Sequence, residues 1–242
     1  MKGVFSLAGR MRAFDQCCEL CDAEQADVVC SDCAQQLPSI DLASACPGCA
    51  QPSASANRCG ACLAHPPPQS AVMACFDYRF PLDRLVQSFK FSANLGLVQF
   101  FTDAMVQSVQ QLAGRNELSN LGDAVLVPVP LAPKRLAERG FNQSALLASA
   151  VGRALDVPVV HDRLRRVRET PPQSGLDGAA RRRNLRGAFA CDESLHGKQV
   201  ILVDDVMTTG TTIGEAAEVL LAVGAIEVRA WVVARALQGR AS

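Results

Sequence analysis

Apolar residues follow two different spacings along the chain from residue 76 onward. Short, continuous apolar runs, typical of buried strands, occupy residues 125–129, 157–160, 199–203 and 226–235. Apolar residues at helical spacing occupy residues 82–89, 95–113, 142–155 and 211–224. Strands that alternate with helices in this way predict an α/β fold in which a parallel sheet is flanked by helices.

Local signals refine three of these elements. Asn142 or Ser144 is expected to cap the helix at 142–155, and Gly224 to end the last helix. Trp231 belongs to the final apolar run and is expected in the core. The stretch FDYRFP, before the first of these helices, fits a strand or a turn.

Polar residues come directly after the predicted strand at 199–203. Asp204 and Asp205 are followed by a turn that consists of Thr208, Thr209, Gly210, Thr211 and Thr212. Ligands of parallel sheets bind at the carboxyl ends of the strands. Neighbouring carboxylates accept hydrogen bonds from vicinal hydroxyls, and N–H groups at the start of a helix favour a phosphate. The stretch therefore predicts a site for a 5-phosphorylated ribose, while a turn that only caps a helix is the plainer alternative.

The composition is that of a globular protein, with 49 % hydrophobic and 20 % charged residues. Because the net charge is zero, the whole molecule offers no general attraction to nucleic acid or to anionic membranes. No stretch approaches the roughly 20 apolar residues of a membrane helix. Arg10 and Arg12 interrupt the N-terminal apolar run, which leaves it too short for a signal peptide. We therefore expect a cytoplasmic protein in a reducing compartment.

Eight of the 11 cysteines form four Cys-x-x-Cys pairs. The paired residues are Cys18 and Cys21, Cys30 and Cys33, Cys46 and Cys49, and Cys59 and Cys62. Each pair directs two thiolates at one point, as a tetrahedral zinc ion requires, so the eight make two structural sites. Short loops between the pairs favour sequential sites, and an interleaved pairing stays open. Disulfides conflict with a reducing compartment. Cys17, directly before Cys18, is an alternative ligand to it.

Three stretches resemble a known family. VILVDDVMTTGTT (200–212) looks like the motif of type I phosphoribosyltransferases, enzymes that bind phosphoribosyl pyrophosphate (PRPP). VPVPLAPKRLAERGFNQSALLA (127–148) is more specific and resembles the ComF family, phosphoribosyltransferase-like proteins linked to bacterial DNA competence and DNA utilisation. RVRETPPQSGLDGAARRRNLRGAF (166–189) is similar to the same family, as is an N-terminal zinc ribbon. The resemblance implies a type I phosphoribosyltransferase fold.

The resemblance also implies roles for the acids and the turn. Asp204 and Asp205 would hold the ribose 2- and 3-hydroxyls, which also carry Mg²⁺, and residues 208–212 would cradle the 5-phosphate. Catalysis would be mainly electrostatic, because Mg²⁺ and arginines neutralise the leaving pyrophosphate while carboxylates face positive charge at the sugar. The expected cofactors are two structural Zn²⁺ and Mg²⁺ bound with PRPP.

Cations are expected in two segments. The loop from Pro130 to Arg139 lies where type I enzymes hold pyrophosphate, and Arg135 and Arg139 suit its charge better than Lys134 does. Residues 163–186 resemble the mobile hood that closes over PRPP. A run of charges is usually a solvated face, and contact with pyrophosphate or with nucleic acid are the alternatives. That segment contains eight arginines, at 163, 165, 166, 168, 181, 182, 183 and 186. Lys90 is a further candidate for the site.

The expected organisation has four parts. They are an N-terminal segment at 1–15 that fits a short amphipathic helix, a double zinc ribbon at 16–65, a proline-rich linker at 66–75 and a phosphoribosyltransferase-like domain at 76–238. The three consecutive prolines make the linker a stiff spacer.

Two functions are compatible with these features. The first is Mg²⁺-dependent transfer of phosphoribosyl from PRPP to an unknown acceptor, linked to DNA uptake or utilisation. The second is a binding protein without turnover, which holds PRPP or single-stranded DNA and contacts proteins of the competence machinery. The ribbon segment is net acidic and suits protein contacts better than DNA.

Overall fold

A computed structural model describes residues 16–54, 57–91, 94–114, 121–168, 187–192 and 195–238. The helix expected within residues 1–15 lies outside these ranges. Most of the predicted hood also lies outside them, because only residues 163–168 of that segment are described.

The N-terminal part of the described chain consists of very short elements. They are β1 (Gln16–Cys17), β2 (Glu24–Gln25), α1 (Ser31–Gln35), a 3₁₀ turn (Leu42–Ser44) and α2 (Gly60–Ala64). β1 and β2 pair in antiparallel fashion. Helices of one turn are not stable by themselves. This part therefore depends on its cysteines and on packing against the rest of the chain.

The remainder is built on a parallel sheet, as predicted. Its strands and those of a small ribbon are β3 (Ala71–Asp77), β4 (Ala124–Pro128), β5 (Leu164–Arg166), β6 (Phe189–Cys191), β7 (Gln199–Met207) and β8 (Glu227–Arg235). The sheet has the order β3-β8-β7-β4, and its neighbouring strands are parallel. β5 and β6 form a separate antiparallel ribbon, which the sequence analysis did not predict.

Helices cover both faces of this sheet. They are α3 (Leu82–Phe91), α4 (Leu95–Gly114), α5 (Pro133–Arg139), α6 (Gln143–Leu155) and α7 (Thr211–Ala222). The Asn142 side chain accepts a hydrogen bond from the Ser144 N–H, which identifies Asn142 as the cap of α6. Among the described residues, no helix is long and apolar enough to cross a membrane.

Successive residues of the strands pack on opposite faces of the sheet. Ile201 and Val203 of β7 join the core beneath α3, α4 and α6, whereas Val200 and Leu202 join the core beneath α7. Trp231 of β8 is buried in the first of these cores, as predicted. A strand covered on both faces has no polar side, which explains the continuous apolar runs in the sequence.

The segment at 157–160 contributes a bridge rather than a full strand. Val159 pairs with Leu126 of β4, and the Leu126 N–H donates to the Pro158 carbonyl over 2.8 Å. The Val160 N–H returns a bond of 2.8 Å to the Leu126 carbonyl. The next N–H on this side of β4 would belong to Pro128, which has none, so the ladder stops there.

α6 lies unusually close to this bridge. A Cβ atom added at Gly152 would lie 2.4 Å from Cγ2 of Val159 and 2.8 Å from the carbonyl oxygen of Val157. Both distances are shorter than any side chain tolerates. The absence of a side chain at Gly152 therefore sets the distance between α6 and the sheet.

The cysteine-rich part covers the outer edge of β3. The Ile40 N–H donates to the Cys75 carbonyl over 2.9 Å, and the Asp77 N–H donates to the Pro38 carbonyl over 2.7 Å. Exposed edge strands invite pairing with other chains, and this segment removes that hazard. Val28 and Leu37 also join the core beneath α3 and α4.

β3 begins at Ala71, inside the segment predicted as a linker, and not at residue 76. The residues just before it are also held against their surroundings. The Gln69 side chain is buried and donates to the Gly48 carbonyl over 3.1 Å, and the Ser70 N–H donates to the Val228 carbonyl over 2.8 Å. The apolar run at 71–76 is short and follows three prolines, which hid it. The division into domains stays a prediction.

The eight predicted zinc ligands form two groups. Cys18, Cys21, Cys30 and Cys33 make the first, and Cys46, Cys49, Cys59 and Cys62 make the second. The sulfur atoms within each group all lie within 4.8 Å of one another. The pairing is thus sequential, and the interleaved alternative does not occur. Cys17 stands outside both groups and is exposed.

The spacing of the sulfurs fits zinc. The Sγ atoms of Cys21 and Cys30 are 3.7 Å apart, and those of Cys49 and Cys59 are 3.6 Å apart. Zn–S bonds of about 2.3 Å in a tetrahedron place two sulfurs about 3.8 Å apart. A four-cysteine site has no open coordination position, so its role is structural.

One thiol in each group is favoured in the metal-binding thiolate form. Burial tends to raise the pKa of Cys18, but the backbone N–H groups of Cys30, Leu20 and Cys21 outweigh it and lower the pKa to about 6. In the second group the pKa of Cys46 falls to about 7, because N–H donors again outweigh burial. Thiolates, and not thiols, are the ligands of zinc.

Replacing Cys18 by Ser should remove one of two bound metal ions. We expect elemental analysis to give about two zinc ions per wild-type chain and about one for Cys18→Ser. The melting temperature should fall by about 10 °C, because each kcal/mol by which the free energy of unfolding decreases lowers it by about 2–4 °C in a chain of this size. Cys17→Ser is the matched control and should keep both ions. One zinc in the wild type, or no loss in Cys18→Ser, would contradict the two-site arrangement.

Candidate functional site

Asp204 and Asp205 lie within β7 and not after it. The sequence analysis ended this strand at residue 203, but β7 continues to Met207 because β8 runs beside it that far. On the other side, β4 ends at Pro128, opposite Val203. The two acids therefore lie on a part of β7 that has a strand partner on one side only.

The first turn of α6 meets the acids on the open side. The Ser144 hydroxyl donates to Oδ1 of Asp204 over 2.8 Å. Nε2 of Gln143 donates to Oδ2 of Asp205 over 3.2 Å, and Nζ of Lys90 lies 3.3 Å from the same oxygen. The carboxylates are thus fixed by three side chains from α3 and α6. Lys90, a candidate from the sequence, is therefore beside the acids.

Asp204 is a carboxyl group that titrates near neutral pH. Burial raises the pKa of Asp204 to about 7, and the neighbouring Asp205 adds to the rise. The hydrogen bond from Ser144, the Asp205 N–H and the charge of Lys90 act in the opposite direction. A pair of carboxylates that repel each other favours a ligand that brings positive charge or hydroxyl donors. The pair consequently fits Mg²⁺, which takes carboxylate oxygens as ligands.

α5 and β5 bring guanidinium groups within electrostatic reach of the acids. Burial lowers the pKa of Arg139, while Asp205 opposes this change and Arg135 adds to it. Burial also lowers the pKa of Arg166, with Arg135 adding to the change and Asp204 opposing it. Arg139 and Arg166 therefore each interact with one of the acids and with Arg135, and an anionic ligand bound between the three arginines would reduce the repulsion among them.

The segment predicted as a pyrophosphate loop contains a helix. α5 begins at Pro133, a residue suited to the first position of a helix, and ends at Arg139, where Gly140 caps it with a φ of 79°. Arg135 and Arg139 lie one helical turn apart on it, so they are neighbours on its surface. Lys134 is exposed on the same helix.

The threonine turn connects the end of β7 to α7. Gly210 caps α7 with a φ of 82°, a left-handed conformation, and an added Cβ would lie 2.5 Å from Cε of Met207. Thr208 and Thr209 are exposed, and the hydroxyls of Thr209 and Thr211 are 2.8 Å apart. Thr211 and Thr212 open α7. Helix N–H groups and threonine hydroxyls together make a set of donors for a phosphate.

Two residues at the acids were missed by the sequence analysis. Gln143 and Ser144 were taken only as the start of a helix, although their place after a strand exit at the same sheet edge was a usable signal. Oε1 of Gln143 is buried and has no hydrogen-bond partner among the described residues. A buried acceptor beside Asp205 is available to a hydroxyl or a bound water.

The described residues include only the beginning of the predicted hood. Residues 163–168 include β5, where Arg165 pairs with Asp192 and Arg166 lies over the ring of Phe189. The arginines at 181, 182, 183 and 186 lie outside the described residues. The hood itself remains a prediction.

Replacing Asp204 by Asn should flatten the pH dependence of stability. The pKa of Asp204 is about 7 in the folded protein and about 3.9 in an unfolded chain. The folded state therefore binds more protons between these values, and the free energy of unfolding falls as the pH rises toward 7. Denaturant titrations at about pH 5.5 and about pH 7.5 measure this fall.

Asp103→Asn, on the exposed surface of α4, is the control and should keep the wild-type pH dependence. The raised pKa of Asp204 would be wrong if Asp204→Asn and the wild type lost the same free energy between the two pH values.

Comparison with known proteins agrees with this geometry. Residues 142–242, which include α6, the acids and the threonine turn, match the model of the phosphoribosyl transferase domain. The chain is 35 % identical to DNA utilization protein YhgH of Escherichia coli O157:H7, over 72 % of this chain and 76 % of that protein. It is 36 % identical to competence protein F of Haemophilus influenzae, over 66 % of this chain and 70 % of that protein.

Among solved structures, the purine phosphoribosyltransferase of Pyrococcus horikoshii aligns with a TM-score of 0.32 and 15 % identity, over 56 % of this chain and 83 % of that chain. That likeness is too slight to carry an argument. The sequence relatives and the domain match are sufficient: the fold is that of a type I phosphoribosyltransferase, preceded by two four-cysteine groups. The chain belongs to the ComF family of phosphoribosyltransferase-like proteins.

Proposed function

We propose that this protein binds PRPP together with Mg²⁺ and transfers the phosphoribosyl group to an acceptor, as part of the handling of DNA. The observation that carries the proposal is the juxtaposition of two acids and a donor-rich turn on one strand end. Asp205, which follows Asp204 directly, is separated from the left-handed Gly210 by four residues. A 5-phosphorylated ribose offers hydroxyls to such acids and a phosphate to such a turn.

The two halves of the site suit the two halves of this ligand. Asp204 and Asp205 would accept hydrogen bonds from the ribose hydroxyls and would hold Mg²⁺, which supplies charge neutralisation at the pyrophosphate when bound. Residues 208–212 would donate hydrogen bonds to the 5-phosphate. Arg135 and Arg139 would face the pyrophosphate, and Lys134, which lacks the planar fork of a guanidinium, would contribute less.

The proposed contribution of the protein to catalysis is electrostatic. Pyrophosphate leaves with its negative charge, and Arg135 and Arg139 would stabilise it. Positive charge grows on the sugar as the bond breaks, and the carboxylates would face it. Lys90 holds Asp205 in the described structure, so the approach of a cation to that carboxylate requires Lys90 to give up or share its contact.

The link to DNA is supported by the relatives, which are named for DNA utilization and for competence. Single-stranded DNA and proteins of the competence machinery are therefore the proposed partners, and the cytoplasm is the proposed location. A binding protein without turnover is the competing function. The donors and acids of the site serve either function, and the occurrence of turnover distinguishes the two.

Pyrophosphate release tests the proposal. We expect the zinc-loaded protein to release pyrophosphate from PRPP and Mg²⁺ when nucleobases or nucleic-acid fragments are supplied as acceptors. Asp204→Asn and Asp205→Asn should lower the rate by about 100-fold, since each removes charge stabilisation at the reacting centre. Asp103→Asn should leave it unchanged. DNA binding without release under any acceptor would overturn transfer and favour the binding protein.

Gly210→Ala should weaken the binding of ribose 5-phosphate. Alanine at this position requires a left-handed conformation and a clash with Met207, at a cost of about 1–3 kcal/mol. The dissociation constant measured by calorimetry should therefore rise by about 10-fold or more. Gly214→Ala is the matched control, because a Cβ there lies 3.7 Å from the nearest atom, in Pro68. Equal affinities for the two variants would show that the turn does not hold the phosphate.

A further inference from the structure

Arg235, the last residue of β8, is a buried cation that joins three separate segments. Its side chain is only 2 % exposed. Nε donates to the carbonyl of Cys49 over 2.8 Å. Nη1 donates to the carbonyls of Met207 over 3.1 Å and Ala236 over 2.8 Å, and also to that of Thr208. The planar fork of a guanidinium allows one side chain to span these acceptors.

A buried guanidinium needs nearby negative charge. Cys49, whose carbonyl accepts the hydrogen bond from Nε, is a member of the second cysteine group. A zinc ion held by four thiolates carries a net charge of about −2. Burial removes the water that would otherwise stabilise the charge of Arg235. The metal-loaded second group would therefore supply a compensating negative charge.

The other contacts of Arg235 are with the start of the threonine turn. Met207 and Thr208 are the two residues that precede Thr209 and Gly210, and the Met207 carbonyl also accepts a bond of 3.0 Å from the Ala236 N–H. Met207 Cε is the atom that an added Cβ at Gly210 would meet. The position of the turn is consequently fixed from the side of β8 by Arg235.

The first cysteine group is connected elsewhere. Glu19, next to Cys18, accepts hydrogen bonds from Ser88 of α3 over 3.1 Å and from Asn94 over 3.1 Å. Val28 packs beneath α3 and α4. The two groups therefore make different contacts with the body, and the second is the one that Arg235 ties to the turn.

We propose that Arg235 is a positioning residue through which the second cysteine group, when it holds its metal, keeps residues 207–212 in the conformation that receives a phosphate. The zinc-binding part is then a component of the ligand site, beyond its role in folding. The effect on ligand affinity rests on the proposed function, whereas the effect on the turn does not.

Amide hydrogen exchange of residues 207–212 tests the link directly. Arg235→Lys keeps the positive charge but cannot span the four carbonyls, and Cys62→Ser removes a ligand of the second group. Both should speed exchange at 207–212 by about 10-fold or more, since hydrogen bonds to charged groups contribute about 1.5–3 kcal/mol. The double variant should show no greater change than Cys62→Ser alone, because both act through one connection.

Matched controls exist for both substitutions. Arg229→Lys changes another arginine of β8, at the opposite end of the strand, where it pairs with Glu227 over 2.9 Å. Cys33→Ser removes a ligand of the first group. Exchange at 207–212 should stay within about twofold of the wild type in both controls. Ribose 5-phosphate affinity, measured by calorimetry on the same proteins, should fall only where exchange has increased.

The outcomes separate this proposal from the proposed function. Wild-type exchange rates in Arg235→Lys, or equal increases in Cys33→Ser and Cys62→Ser, would overturn the link. The expected exchange pattern in a protein that binds neither ribose 5-phosphate nor PRPP would uphold the link and reject the proposed ligand. Should Cys62→Ser not fold, wild-type exchange before and after chelation replaces it, and an unchanged turn would again overturn the link.

Discussion

The site depends on two carboxylates that share the end of one buried strand. The charges of Asp204 and Asp205 repel each other, and burial adds to the cost of ionising Asp204. Neighbouring donors offset part of this cost, because Ser144, Gln143 and Lys90 each contact one of the carboxylates. A site held in this way is strained electrostatically before any ligand arrives. Ligands that bring positive charge or hydroxyl donors are favoured because they relieve this strain.

The cysteine-rich part packs directly against the sheet. It covers the edge of β3 through Pro38 and Ile40, contributes Val28 to the main core, and contacts the guanidinium of Arg235 through the Cys49 carbonyl. Each of its helices is too short to persist alone, so metal binding and docking must support each other. Through the proposed role of Arg235, the same part would also support the threonine turn.

Sequence patterns predicted the sheet, its long helices and the two cysteine groups. Apolar periodicity was sufficient there because both faces of the sheet are buried. It failed where pairing partners decide the outcome: β7 extends past Asp204 because β8 accompanies it, and Val159 forms only a bridge because Pro128 lacks an N–H. Gln143 was missed because its role depends on where α6 begins in space, which periodicity does not contain.

The tight packing at Gly152 has a consequence for the opposite end of α6. That helix is a rigid rod whose first turn carries the donors to both acids, while Gly152, near its other end, touches Val157 and Val159. A rod held this closely at one end cannot shift along or away from the sheet at the other. The distance between Ser144 and Asp204 is therefore decided in part by a residue without a side chain, two helical turns away in the apolar interior.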